Sequence, residues 1–164
     1  MASTTNNQDG TTLPIYFYST QGEFGEFSNF SRHGIEQDGV WWPTTEHYFQ
    51  AQKFEDAGYR EQIRNASTPK QAAELGRSRA MPLRADWEEV KEEVKEEVMY
   101  QAVLTKIRTH PALKTLLLST GTEEIIENAP GDYYWGCGKD GTGKNRLGHI
   151  LMQVREELRS NLSA

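Results

Sequence analysis

The sequence contains one cysteine, Cys137, in 164 residues. That count excludes an internal disulfide and a cysteine-based zinc site. Within its glycine-rich surroundings, the lone thiol reads as a small filler rather than a nucleophile. No apolar run approaches the roughly 18 residues that a membrane span requires. An excess of positive charge is missing too: 18 Lys and Arg stand against 24 Asp and Glu, a formal net charge of −6. A protein that grips polynucleotide backbones displaces counterions with a basic face, so this balance argues against a nucleic-acid partner. A small anionic ligand is still allowed, because a few local cations and a helix N-terminus suffice for a phosphate. Residues 1–13 lack both the apolar centre of a secretory signal and the basic residues of a transit peptide. They are expected to form a disordered tail on a cytoplasmic protein.

What is present is enough for one core. Hydrophobic residues make up 36 % and aromatics 10 %, with four Trp and seven Tyr to bury large areas. The length suits a single domain, expected over 14–160, with a short tail at 161–164.

The stretch Pro14 to Ser19 is β-branched and aromatic and predicts a strand. Gly22 to Asn29 predicts a loop, and Gly39 to Trp42 a second strand closed by Pro43. Helices dominate thereafter. Thr44 or Thr45 caps a helix expected to reach about Glu55, and a short one covers Tyr59 to Arg64. Thr68-Pro69-Lys70-Gln71 opens another, ending near Gly76. Asp86-Trp87-Glu88-Glu89 has the form of a capping box for a helix to about Thr109. His110-Pro111 opens the next, which Thr120-Gly121 ends. Ile125 to Glu127 is a strand or a turn, Ala129 to Gly143 a loop, and Asn145 to Arg159 a last helix. Long helices with a few short strands predict an α+β fold, predominantly α-helical.

A tandem repeat, Val90-Lys-Glu-Glu-Val-Lys-Glu-Glu-Val98, falls inside the long helix. Its valines drift about 40° per step, which predicts a solvated helix with one narrow buried stripe.

Two segments carry residues suited to chemistry. In Trp42-Pro43-Thr44-Thr45-Glu46-His47-Tyr48-Phe49-Gln50-Ala51-Gln52-Lys53, Glu46 and Lys53 lie seven residues apart. On a helix that is about 20° short of two turns, so they share a face with Phe49 and Gln50 between them. They rise about 10 Å apart along the axis, a spacing that flanks a ligand. A carboxylate suits acid or base work at a glycosidic bond, and a lysine of lowered pKa suits attack on a sugar aldehyde. The same spacing also describes an ordinary surface Glu and Lys.

The second segment is Gly131 to Gly148. It holds the Gly138-x-x-x-x-Gly143-Lys144 frame of a phosphate loop. Asn145 stands where a hydroxyl should hold magnesium, and no buried apolar strand precedes the loop, so a triphosphatase is rejected. A weaker expectation survives: glycine-rich backbone N–H groups, Lys144 and Arg146 face an anion. Asp132 then orients water or a ribose hydroxyl, and Trp135 stacks a base. The alternative is a tight surface turn. Lys70, Arg77, Arg79 and Arg84 either meet a phosphate or balance the Glu-rich helix. No metal-ligand spacing is present.

Six motifs in order resemble one family. They are Phe27-Ser-Asn-Phe30, Trp42 to Phe54, Leu83-Arg-x-Asp-Trp87, Leu116-Leu-x-Ser-Thr-Gly121, Asp132-x-x-Trp-Gly136 and Gly143-Lys-Asn-Arg-Leu-Gly-x-Ile-Leu-Met152. Together, from about Ile15 to Ser160, they resemble the NADAR domain, most closely its stand-alone members. The resemblance implies one compact NADAR-like domain acting on ribose phosphates joined to a nitrogen base, with no cofactor and no metal. Stand-alone members are N-glycosidases that destroy reactive aminopyrimidine intermediates of riboflavin synthesis. Other members remove ADP-ribose from guanine, and a non-catalytic sensor of NAD-related nucleotides is a third alternative. Carried over residue by residue, Glu46 and Lys53 become the catalytic pair, with Asp132 as a third catalytic residue and polar partner beside Asn145. Trp42, Trp135 and Gly136 shape the pocket, and Asn29, Arg77, Trp87 and Lys144 complete the substrate-binding set. Between Trp87 and Met99 the chain carries four residues more than the family usually shows, where the Val-Lys-Glu-Glu repeat lies.

Overall fold

Helix starts in this chain are set by short polar side chains that close the unpaired N–H groups of a first turn. Thr44, Asp56 and Thr68 accept from the backbone N–H of His47, Tyr59 and Gln71 respectively. The structure, a computed structural model, describes residues 13–89 and 91–162. In chain order its elements are β1 (Ile15–Phe17), a 3₁₀ turn (Gly25–Phe27), β2 (Ile35–Gln37), β3 (Val40–Trp42), α1 (Thr45–Ala51), α2 (Ala57–Arg64), α3 (Pro69–Arg77), α4 (Ala85–Glu89), α5 (Lys91–Thr109), α6 (Pro111–Ser119), β4 (Ile125–Glu127) and α7 (Arg146–Leu162). Helices predominate over short strands, which is the α+β class the pattern predicts. Among the described residues no helix is long and apolar enough to cross a membrane.

Contacts divide the chain into two units, Asn29–Thr109 and the pair Met1–Ser28 with His110–Ala164. In Asn29–Thr109, β2 and β3 form an antiparallel hairpin with Ile35 opposite Trp42 and Gln37 opposite Val40. Its two-residue loop is Asp38-Gly39, both at positive φ (53° and 80°). That is the backbone of a turn whose twist matches the strands. The sequence reading has only the second of these strands, although Asp-Gly is a hairpin signal. Ile35, Trp42, Tyr48, Ala51, Phe54, Ile63, Ala72 and Ala102 make the core of this unit. Alanines from α1, α3 and α5 allow close helix approach around Phe54, whose full burial contributes about 2–3 kcal/mol.

The first helix is shorter than expected. It ends at Ala51, and the chain continues through i→i+3 bonds from Lys53 N–H to Gln50 O (3.3 Å) and from Phe54 N–H to Ala51 O (3.2 Å). The carbonyls just beyond it are taken from outside: Arg84 donates its backbone N–H to Lys53 O at 2.8 Å, and Arg60 reaches Phe54 O. Those bonds satisfy the free C-terminal groups and remove the reason to propagate to Glu55. All seven residues of α1 are buried, so neither of its faces is solvated.

Asp86 does not cap as expected. Helix α4 begins one residue earlier, and the Asp86 carboxylate is gripped by the Arg84 guanidinium at 2.5 and 2.7 Å. In the repeat, Val94 and Val98 are half-buried while Glu92, Glu93 and Glu97 are exposed. Val98 packs on the core; Val90 lies outside the described residues.

In the other unit, β1 pairs in parallel with β4, Ile15 opposite Ile125 and Phe17 opposite Glu127. Phe17 meets Phe27 edge-on at 5.9 Å, and Phe24 stacks on Phe27 at 5.7 Å. Leu147, Ile150, Leu151, Val154 and Leu158 form the buried stripe of α7, at the 3–4-residue spacing of a helix face. Arg155, also buried, donates to the Thr120 hydroxyl and the Glu123 carbonyl, both at 2.9 Å, and so closes the end of α6. Helix α7 continues to Leu162, past its expected end at Arg159.

Candidate active site

Asn29 fixes the start of α1. Its carbonyl accepts the Glu46 N–H at 3.1 Å, its side-chain oxygen accepts the Thr45 hydroxyl at 2.9 Å, and its amide reaches Met99 Sδ at 3.5 Å. Held there, Glu46 is buried, 9 % exposed. Gln50, one turn on, donates its amide to Glu46 Oε1 at 2.7 Å. His47 points elsewhere. Its ring bridges the Thr44 hydroxyl (2.7 Å) and the Ala66 carbonyl (3.0 Å). A carbonyl only accepts, so Nε2 carries a proton, and burial pushes the imidazole pKa down. That histidine is a structural strut.

Lys53 leaves the tight turn after α1, half-buried, with Nζ 5.8 Å from the centre of the Phe49 ring. Phe49 is itself buried and meets Trp87 edge-on at 5.5 Å. Trp87 therefore backs the aromatic floor under the amine. Burial, first of all, lowers the Lys53 pKa from its ordinary value to about 8; Glu46 opposes this, while Arg79, Arg77 and Lys95 add to it. At pH 7 about one amine in ten is then neutral, against well under one in a thousand for a free lysine. A buried carboxylate and a partly deprotonated amine thus share one neighbourhood rimmed by cations. Arg77 lies exposed in that rim at the end of α3, as does Arg79 just beyond it. This combination can move protons and attack an electrophilic carbon at neutral pH.

Trp42 is placed differently from the pair. It is 4 % exposed, packs edge-on against Tyr48 at 5.6 Å and belongs to the core. It also borders a hollow of about 330 Å³ between the hairpin and α2, with Arg60 and Arg64, that includes neither Glu46 nor Lys53.

The remaining candidates, Asp132, Trp135, Gly136, Lys144 and Asn145, belong to the other unit. Asp132 accepts the N–H groups of Tyr134 (3.0 Å) and Trp135 (2.8 Å), an Asx turn. Trp135 is half-buried and edge-on to Tyr134 at 4.7 Å. Lys144 is exposed, with Nζ 5.6 Å from the Tyr134 ring centre. Gly136 has no room for a side chain, since a Cβ would come 2.8 Å from that of Ala129 and 3.0 Å from the Asp132 carbonyl. The anion cradle expected of this loop is not open. The N–H groups of Gly143, Lys144, Asn145, Arg146 and Leu147 bond to the carbonyls of Cys137, Tyr133, Gly136, Tyr134 and Trp135. The glycines let the loop close on its own backbone. Cys137 is half-buried, its thiol 3.5 Å from Asn128 Oδ1.

Asn145 is buried at φ 51°. Its side chain accepts the Glu127 N–H and donates to the Ile125 carbonyl, both at 2.9 Å, clamping β4. Asn145→Ala removes both bonds and strains a left-handed position. It is expected to cost about 2–4 kcal/mol of stability, read as a lower urea midpoint at unchanged m-value. An unchanged midpoint would refute the clamp.

Two participants escaped the sequence reading. The repeat reads as a solvated charge run, yet its Lys95 acts on Lys53, and the i,i+4 spacing of Glu46 and Gln50 announces the bond between them.

The chain is similar to known proteins along most of its length. The family model described as NADAR domain matches residues 16–159. N-glycosidase YbiA of Escherichia coli (strain K12) is 51 % identical over 144 residues, 88 % of either chain. N-glycosidase Npun_R5314 of Nostoc punctiforme is 47 % identical over 154 residues, covering 92 % of this chain and 96 % of that one. Riboflavin biosynthesis protein PYRR, chloroplastic, of Zea mays is 41 % identical over 165 residues, 92 % of this chain but 26 % of the maize protein. The NMR structure of E. coli YbiA superimposes with a TM-score of 0.81 at 50 % identity, covering 90 % of this chain and 85 % of that one. Matched along nearly its whole length by sequence and by structure, the chain belongs to the NADAR domain family.

Proposed function

We propose that this protein is an N-glycosidase that hydrolyses the ribose–nitrogen bond of phosphoribosylaminopyrimidine intermediates of riboflavin biosynthesis, working in the cytoplasm. The relatives named N-glycosidase support the reaction class, and the maize relative named for riboflavin biosynthesis supports the substrate class. The observation that carries the reading is the Lys53 amine, held near pKa 8 in the neighbourhood of the buried Glu46 carboxylate.

In this reading the ionised Glu46 carboxylate takes the proton that Lys53 sheds on attack, hands it to the departing nitrogen, and later takes one from water. Neutral Lys53 attacks C1 of the sugar. The C1–N bond to the base breaks and the base leaves as its free amine; the C1–O4 ring bond then opens as O4 takes a proton, and the sugar is held as an open-chain protonated Schiff base. Water then adds at C1 and releases the ribose phosphate and the free lysine. Arg77 and Arg79, which already act on Lys53, supply positive charge for the phosphate. The aromatic floor of Phe49 and Trp87 keeps water from the amine.

The deciding experiment offers the protein two substrates, an aminopyrimidine ribose phosphate and ADP-ribosylated guanine, and follows released products by mass spectrometry. Release of the aminopyrimidine with ribose phosphate is expected. Faster release of ADP-ribose would replace this reading with the de-ADP-ribosylation alternative. Tight binding without turnover of either would make the protein a sensor.

A further inference from the structure

We propose that Gln50 is the positioning residue for Glu46, and that Gly76 exists to leave room for its amide. The inference rests on the reading of Glu46 as the proton-handling group. Gln50 is 7 % exposed and sits one turn after Glu46 on α1. Its Nε2 donates to Glu46 Oε1 at 2.7 Å. Its own Oε1 is buried with no hydrogen-bond partner. An unpaired buried carbonyl is a cost that a leucine or methionine at the same place would not carry. The bond to Glu46 is what the amide delivers in return. A charge-assisted donor at that length holds one carboxylate oxygen in place and favours the ionised form.

Gly76, on α3, faces this amide. A Cβ there would come 1.9 Å from Gln50 Oε1 and 2.6 Å from Cδ, so any side chain would displace it. The glycine lies in the last turn of a helix at an unremarkable backbone angle, where alanine would favour the helix. Its absence of a side chain therefore answers to Gln50 rather than to the local backbone. Lys53, after α1, couples to Glu46, and Lys53 in turn feels Arg77 and Arg79 at and just past the end of α3 and Lys95 on α5. All remain in place in the variants below.

The test follows the Glu46 side-chain carboxyl carbon by NMR across pH in the wild-type protein, Gln50→Met and Gly76→Ala. Methionine matches glutamine in length and cannot donate. Both variants are expected to raise the Glu46 titration midpoint by about one pH unit, a tenfold change in proton affinity. The acid limb of kcat/KM should move upward by the same amount. In the wild type, the Gln50 side-chain amide resonances should titrate with the Glu46 midpoint, a measurement that needs no variant to fold. Midpoints unchanged in the variants, or amide resonances indifferent to Glu46, would overturn the proposal. The NMR readouts require no turnover. An inactive wild-type protein with the expected titrations would therefore sink the glycosidase reading and leave the Gln50 pairing standing.

Discussion

Replacing Lys53 by Met is expected to lower kcat/KM for base release by about a thousandfold or more, with the protein still folded. The effect should be that large because the proposed chemistry needs an electron pair that methionine does not offer in this form. The wild-type pH profile supplies a second, independent signature. An amine whose pKa is lowered to about 8 is protonated and inert below that value. The rate should therefore climb as pH rises toward about 8 and level off above it, and this limb should vanish in the variant. The stability sign runs the other way from an ordinary salt-bridged lysine. Because the folded pKa is depressed, the unfolded chain binds more protons between about 8 and the ordinary value of 10.5. The cost of the charged form is fully present below pH 8 and is relieved as pH rises through that window. Methionine removes it, so the variant should show an unchanged or higher urea midpoint at pH 7. Borohydride added during turnover should trap the sugar on Lys53 in the wild type alone. Wild-type rates in Lys53→Met would end the assignment. Loss of rate without a trapped adduct would leave Lys53 as an electrostatic group and remove the covalent step.

Glu46→Gln should cost about 10²–10⁴-fold in kcat, the usual worth of a positioned acid or base. It keeps the shape of the side chain and can still meet the Gln50 amide after that amide turns over, so packing survives. The discriminating readout is the leaving group. If Glu46 protonates the departing nitrogen, a substrate whose base leaves readily without a proton should lose much less rate in the variant. An equal loss with both substrates would move Glu46 from acid catalysis to charge stabilisation of the sugar. Unaltered kcat would remove it from the chemistry. The Lys53 titration reports as well. Glu46 raises the Lys53 pKa in the folded protein, so its neutralisation should shift the rising limb set by Lys53 to lower pH.

Much of this arrangement is local and could be read directly from the chain. Thr44, Thr68 and His110-Pro111 mark three helix starts, because a cap acts within one turn of backbone. Glu46 and Lys53 emerge as partners because seven residues bring two groups to one side of a helix. Even after the true helix stops at Ala51, one turn of i→i+3 bonds keeps Lys53 over Phe49. The misreadings share one cause. The end of α1 depends on Arg60 and Arg84, outside the helix, reaching the carbonyls of the turn that follows it. Asp86 is drawn off its capping role by a guanidinium two residues away. The loop from Gly131 onward looks like an open cradle until each N–H is paired with a carbonyl, and no periodicity reports that pairing.

By itself, then, the sequence determined the fold class, the family motifs and the spacing that brings Glu46 and Lys53 to one side, because composition, capping and helical period act over a few residues. Only the tertiary structure decided what those groups are chemically. The Lys53 pKa is set by burial and by nearby cations, the Glu46 backbone is held by Asn29 and its carboxylate by Gln50, and the room for Gln50 is left by a glycine on another helix. Desolvation and through-space charge depend on three-dimensional neighbours, which no reading along the chain supplies.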